Sequence, residues 1–235
     1  MYSREQLAKM IDHTVLRPLA TRDDIMRACD EAAQRHFASV CIFPCWVGTA
    51  AKALANSDVK VCTVISFPFG ADTRTSKVHS IRNSIANGAT EIDMVMNLSK
   101  FKSEEYEAVR QEIVDGVDAI NATSGLHDSR RVLLKVIIET GVLNDAEKEI
   151  ASRLVRDGGA DFVKTSTGTG AGGATSDDIR LIRRALGPST MGVKASGGIK
   201  TIEQAITLLN AGANRIGTSS GPAIYDSYDP AAGLA

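Results

Sequence analysis

Residues 159–168, GADFVKTSTG, decide the reading of this chain, because the same form returns at residues 88–95 as GATEIDMV and at residues 212–221 as GANRIGTSSG. Each copy opens on a Gly-Ala pair where a helix should end and runs into a short apolar segment. Two of the three close on a Ser/Thr/Gly turn. Aligned on their Gly-Ala pairs, the copies put Asp93, Lys164 and Gly217 at one phase. Side chains alternate across a strand, so if one of these positions faces inward all three do. Cys41 holds the matching position on an earlier strand that lacks the Gly-Ala pair.

Working outward, short β-rich runs recur along the whole chain: Ile11–Val15, Ala38–Phe43, Val59–Phe67, Glu91–Met96, Arg131–Ile138, Asp161–Lys164, Met191–Ala195 and Arg215–Thr218. Val61–Ile65 and Val132–Ile138 are almost continuously hydrophobic, as strands covered on both faces are in a parallel sheet. Amphipathic segments lie between them. Thr21 opens one that runs to about Gln34, Ser103 can cap Glu104 to about Ile120, Asn144 precedes Asp145–Arg156, Thr175 can cap Ser176–Leu186, and Thr201 precedes Ile202–Asn210. Gly88, Gly158, Gly212 and Gly187-Pro188 stand where helices should stop. Eight strands alternating with helices predict an α/β fold, a (β/α)8 TIM barrel, as a single domain over residues 1–235. An open doubly wound sheet is the alternative, but no G-x-G-x-x-G follows the first strand.

Composition narrows the function. Of 235 residues, 43% are hydrophobic and 23% charged, with a net charge of −1, which excludes a disordered chain and argues against a nucleic-acid binder that works by bulk charge. No run of about 18 apolar residues is present, so no membrane span is expected. The opening MYSREQLAKMIDHTV carries charges where a secretion signal needs an apolar core, and a cytoplasmic protein is expected. Cys29, Cys41, Cys45 and Cys62 then read as thiols. Cys41 and Cys45 have the spacing of half a zinc site, and no H-x3-5-H pair supplies the other half.

The chemistry is carried by lysines. Lys135, Lys164 and Lys194 each follow apolar residues on a strand, and a buried ammonium needs a partner. Lys164 and Lys194 share a local form, Phe162-Val163-Lys164 and Gly192-Val193-Lys194, at the C-terminal ends of neighbouring strands, which is the active face of a barrel. An amine beside a second cation in a dry site becomes a nucleophile near neutral pH. Lys135 has more of its strand still to run and reads as deeper and structural. Asp93 is the carboxylate able to pair with either upper lysine, and Asp12 is a second one. His13, next to it, should face the opposite side. Ser/Thr/Gly clusters end the last three strands: Thr165–Gly168 running on to Gly173, Ser196-Gly197-Gly198, and Gly217–Gly221. Backbone amides at such turns bind phosphate, and the loops after strands 7 and 8 are the usual place. The residues thus point to an amine-catalysed reaction on a small phosphorylated carbonyl compound, with carbon–carbon cleavage through a Schiff base as the natural class. Another barrel isomerase, a transaldolase-like enzyme or a non-catalytic phosphosugar sensor are the alternatives.

The chain also resembles the 2-deoxy-D-ribose-5-phosphate aldolase family of class I aldolases. The likeness rests on Ile11-Asp12-His13-Thr14, ASVCIFP from Ala38, VISFPFG from Val64, EIDMVMN from Glu91, LKVIIETG from Leu134, DFVKTSTG from Asp161, GGAT from Gly172, VKASGGI from Val193 and RIGTSSG from Arg215. These segments follow in order over nearly the whole chain. The resemblance implies a lyase that interconverts deoxyribose 5-phosphate with glyceraldehyde 3-phosphate and acetaldehyde, in deoxyribonucleotide catabolism, without metal or cofactor. It implies that Lys164 forms the Schiff base, that Lys194 lowers its pKa and assists proton transfer, and that Asp93 and Asp12 serve the polar network. Gly168, Gly197, Gly198, Ser219 and Ser220 correspond to its phosphate-binding turns. A homo-oligomer, dimer or tetramer, is expected, with small phosphosugars and aldehydes as partners. Two departures stand out. Thr169-Gly170-Ala171 follows Gly168 where many relatives carry a bulkier or basic residue, and the tail lacks the terminal Tyr that some relatives place at the site.

Overall fold

The computed structural model describes residues 2–124, 132–170 and 172–230. Strands β1 (Ile11–Val15), β2 (Ser39–Ile42), β3 (Lys60–Ile65), β4 (Glu91–Val95), β5 (Leu133–Ile137), β6 (Phe162–Lys164), β7 (Gly192–Ser196) and β8 (Arg215–Thr218) pair in parallel in sequence order. β8 returns to β1, with Asp12 opposite Gly217, so the sheet closes into a barrel. The expected (β/α)8 architecture is the one observed, and each strand lies within a residue or two of its sequence-based bounds. Arg131 lies outside the described residues.

The helices are α1 (Arg4–Ala8), α2 (Arg22–Arg35), α3 (Val47–Ala53), α4 (Arg74–Ala86), α5 (Leu98–Lys102), α6 (Tyr106–Ser124), α7 (Asp145–Asp157), α8 (Ser176–Leu186), α9 (Ile202–Asn210) and α10 (Gly221–Asp226). Thr21, Asn144, Thr175 and Thr201 cap α2, α7, α8 and α9 as expected, each accepting from the amide three residues on. Such a cap contributes about 1 kcal/mol. Ser103 does not start a helix. Asn97 caps the separate α5, the Ser103 hydroxyl bonds back to the Ser99 carbonyl at 2.9 Å, and Glu104 takes a left-handed φ of 60° before α6 begins. The sequence signals name no segment for α1, α3, α4, α5 or α10, although Gly88 marks where α4 stops. α4 has little apolar periodicity because its inner face buries Lys77 and Ser84 beside Ile81.

Two cores result. The larger packs the outward faces of the strands, such as Val40, Ile92, Leu134, Val136, Val163, Val193 and Ile216, against the helices. The inside of the barrel differs. Beside a small apolar cluster of Cys41, Cys62 and Val64, its inward positions include seven ionisable side chains: Asp12, Glu91, Asp93, Lys135, Lys164, Lys194 and Arg215. Barrels usually fill these layers with branched aliphatics. No helix among the described residues is long and apolar enough to cross a membrane.

Candidate active site

Parity along each strand assembles the site. Asp93 on β4, Lys164 on β6 and Gly217 on β8 all face inward, as their shared phase requires, and Cys41 on β2 joins them with its Sγ 3.9 Å from Asp93. The Lys164 and Lys194 Nζ atoms both donate to Asp93 Oδ2, each at 2.7 Å. Lys194 Nζ also lies 2.5 Å from Asp12 Oδ2. Lys135 sits one layer deeper, donating to Asp93 Oδ1 at 2.9 Å and lying 2.6 Å from Glu91 Oε2. Arg215 closes the network, with Nε donating to Asp12 Oδ1 and Nη2 to Glu91 Oε2, both at 2.9 Å. The Ser39 hydroxyl donates to Asp12 Oδ1 at 2.7 Å.

Burial opposes ionisation of Asp12, Asp93, Lys135, Lys194 and Arg215, and the opposite charges outweigh it. Lys135, Lys164 and Lys194 hold the Asp93 carboxyl well below the usual carboxylate range, and Arg215, Lys194 and Lys135 do the same for Asp12. Burial would likewise discharge Lys194, but Asp12 and Asp93 raise its pKa above the ordinary lysine value. Lys135 is likewise raised well above the ordinary lysine value, by Asp93, Cys62 and Glu91 among others. Asp12, Glu91 and Asp93 therefore face Lys135, Lys164, Lys194 and Arg215, three carboxylates against four basic groups.

Above the network is a cavity of about 510 Å³ at the C-terminal mouth of the barrel. Lys164 is 2% exposed and forms part of its wall, together with Gly168, Gly197, Gly198, Gly217 and Ser219. Lys194, Asp93 and Asp12 lie behind that wall. The bare backbone at Gly217 makes room for Lys194, since a Cβ there would stand 3.0 Å from the Lys194 Cε. The turns after β6 and β7 pack backbone on backbone: a Cβ on Gly173 would stand 2.2 Å from the Gly197 carbonyl oxygen. Gly168, Gly197 and Gly198 all have left-handed φ, at 83°, 92° and 76°, which glycine alone adopts cheaply. Ser220 is not on the wall. It precedes α10, and its amide donates to the Thr218 hydroxyl at 2.9 Å.

Other sequence-based expectations resolve as follows. His13 faces away from Asp12, its Nε2 2.9 Å from Glu31 on α2, and burial lowers its pKa. Cys45 is exposed and Cys41 is buried inside the barrel, so the C-x3-C spacing gathers no site. Cys41, Cys62 and Asp93 do converge, with their ligand atoms within 4.8 Å of one another, but a metal ion there would sit among the ammonium groups around Asp93. Tyr228 donates its hydroxyl to the Tyr2 carbonyl at 2.7 Å and Tyr225 packs edge-on against Phe37, so neither reaches the cavity. Ala171 and residues 231–235 lie outside the described residues.

Three groups escaped the sequence reading. Glu91 and Arg215 each stand two residues before an inward position, so strand parity alone could have found them. Glu139 is buried with a left-handed φ of 55° and accepts from the Thr167 amide and, at 2.5 Å, the Thr167 hydroxyl. It pins the loop that follows Lys164, and nothing in its local sequence reveals that.

The pattern of the DeoC/LacD family aldolases matches residues 6–227. The deoxyribose-phosphate aldolase of Enterococcus faecalis is 50% identical over 219 residues, covering 93% of this chain and 96% of that protein. That of Caldanaerobacter subterraneus subsp. tengcongensis is 49% identical over 222 residues, covering 94% and 93%. Among solved structures, the deoxyribose phosphate aldolase of Aeropyrum pernix, described as a unique tetramer, superposes with a TM-score of 0.85 at 33% identity, covering 96% of this chain and 92% of that one.

Proposed function

The chain belongs to the DeoC/LacD family of aldolases, and from that premise we propose that it cleaves 2-deoxy-D-ribose 5-phosphate reversibly to D-glyceraldehyde 3-phosphate and acetaldehyde through a Schiff base on Lys164. One observation carries the choice of residue. Of the four basic groups in the buried network, Lys164 is the one on the cavity wall. With three carboxylates ionised, the network is electroneutral when one basic group gives up its proton, and Lys164 is the group a substrate can reach.

The uncharged amine attacks the C1 aldehyde of the open-chain sugar, and loss of water leaves a protonated imine. Removal of the C3 hydroxyl proton lets the C2–C3 bond break. Its electron pair flows into the imine, and glyceraldehyde 3-phosphate departs. Protonation of the resulting enamine at C2 and hydrolysis release acetaldehyde and restore the amine. Lys194 keeps its charge and is the proton donor closest to Lys164 through their shared oxygen of Asp93. Asp93 accepts from both, orients them and, with a water, passes protons between them and the substrate. Asp12 anchors Lys194 as a second counter-ion, its Oδ2 2.5 Å from the Nζ. The glycine-rich turns at Gly168, Gly197, Gly198 and Ser219 offer backbone amides to the phosphate. Ser220 joins them in this reading only if its amide leaves Thr218. Residues 1–235 act as one aldolase domain, working in the cytoplasm as a homo-oligomer, dimer or tetramer.

Borohydride reduction in the presence of deoxyribose 5-phosphate, followed by peptide mass mapping, tests the assignment. The expected adduct is on Lys164, and Lys164→Ala loses the adduct and at least about a thousandfold in turnover. An adduct confined to Lys194, or full turnover by Lys164→Ala, overturns it. Release of acetaldehyde separates this reaction from isomerisation and from group transfer.

A further inference from the structure

The glycine-rich turns form one side of the cavity. The other side comes from the loop after β1 and the first turns of α2, where Arg17, Asp24, Arg27 and Glu31 stand. Barrel closure makes this arrangement: β1 is hydrogen-bonded to β8, so the loop carrying Arg17 borders the turn carrying Ser219. Asp24 ties the two arginines together. Its Oδ1 is 3.3 Å from Arg17 Nη2 and pairs with Arg27 Nη2, while Oδ2 accepts from the Thr21 amide at 2.9 Å and the Thr21 hydroxyl at 3.0 Å. Those Thr21 bonds, with help from the arginines, hold the Asp24 pKa down at about 2. The carboxylate is thus fixed by a helix cap, and together with the two guanidinium groups it holds it forms a cluster of one net positive charge.

The facing turns supply amides but little charge. After Gly168 come Thr169 and Gly170, and on this side of the cavity Lys200 is the basic side chain besides Lys164. Glu31 is engaged by His13. A phosphate dianion between these walls needs cationic donors, and guanidinium forks match its oxygens.

We propose that Arg17 and Arg27, held together by Asp24, form a guanidinium clamp for the substrate phosphate across the cavity from Gly197, Gly198 and Ser219. This rests on the sugar-phosphate reading above and adds the residues that select for the phosphate. Both side chains are more than half exposed, so their replacement leaves the packing intact.

The test compares deoxyribose 5-phosphate with unphosphorylated deoxyribose. For Arg17→Ala and Arg27→Ala, the ratio of kcat/KM between the two substrates should fall by about tenfold each, the loss of one charge-assisted bond, mainly through KM for the phosphorylated sugar. Inorganic phosphate should compete less well against these variants, and Arg17→Lys should recover part of the loss. A ratio unchanged in both variants, whatever the rate, overturns the clamp. Borohydride trapping of Lys164 with acetaldehyde alone, which has no phosphate, reports separately on the Schiff base. Loss of the ratio effect with trapping intact removes the clamp only, and absence of trapping in the unaltered protein removes the underlying function.

Discussion

Lys164 and Lys194 donate to a single oxygen of Asp93, each at 2.7 Å. One carboxylate oxygen thus holds the reacting amine and its companion cation side by side, and a change in the charge of either is felt by the other at hydrogen-bond range.

Lys194→Leu is the direct consequence to measure. Without Lys194, three carboxylates face three basic groups, so the network is balanced only while Lys164 keeps its proton. Turnover near neutral pH should fall by about a hundredfold or more, and the acid limb of the pH–rate profile should move to higher pH. A profile that keeps its position while only the rate drops would mean that Lys194 does not govern the charge of Lys164.

Acid stability follows from the same network. Asp12 and Asp93 ionise below the ordinary carboxylate value when folded, so their contribution is complete above about pH 4 and drains as pH falls toward the folded values. Lys135 and Lys194 are raised, so their contribution is complete below about pH 10 and is lost only above it. Urea midpoints followed by circular dichroism should therefore be flat between those limits and fall in acid. Asp12→Asn, which leaves Arg215 with Glu91 and Lys194 with Asp93 as their remaining counter-ions, should lose about 3 kcal/mol at neutral pH, with a gap that narrows in acid.

Glu139 acts on the site through the loop after Lys164. Glu139→Ala removes the acceptor for the Thr167 amide and hydroxyl, and should raise KM for the phosphorylated substrate about tenfold. Glu139→Gln, which retains a carbonyl acceptor, should recover most of that. Borohydride labelling of Lys164 by acetaldehyde should persist in both. If labelling disappears along with KM, Glu139 supports β6 itself rather than its loop.

Gly173→Ala tests the glycine-on-glycine contact. The added methyl would meet the Gly197 carbonyl at 2.2 Å, so the turns after β6 and β7 must part. A cost of about 1–3 kcal/mol is expected in chemical denaturation, with weaker phosphate competition. An unchanged midpoint would show that the two turns separate freely.

The barrel was legible because three copies of one Gly-Ala pattern fix the phase of Asp93, Lys164 and Gly217, and phase is the property that closure preserves. Alternating strand and helix signals gave the rest of the frame, with capping residues marking α2, α7, α8 and α9. What stayed hidden depends on contacts between distant segments. Glu91 and Arg215 share the inward phase of Asp93 and Gly217, but their ionic partners stand on other strands and meet them only when the barrel closes. Lys77 and Glu112 sit on α4 and α6 and form a buried pair at 2.8 Å that also holds the Val95 carbonyl and the Asn97 amide at the end of β4. Neither residue breaks its helix pattern in a way that announces a partner. Arg17 and Arg27 come near the Ser219 turn only because the first strand lies against the last.

The charged interior of the barrel also guards its assembly. Were β4 to slip by one residue, Glu91 and Asp93 would turn out into the aliphatic layer, and Lys135, Lys194 and Arg215 would remain at the centre with too few counter-ions. An all-aliphatic lumen would tolerate that misthreading far better. The groups that equip the protein for chemistry therefore double as its proofreading device, and a chain that has found the wrong alignment forfeits both at once.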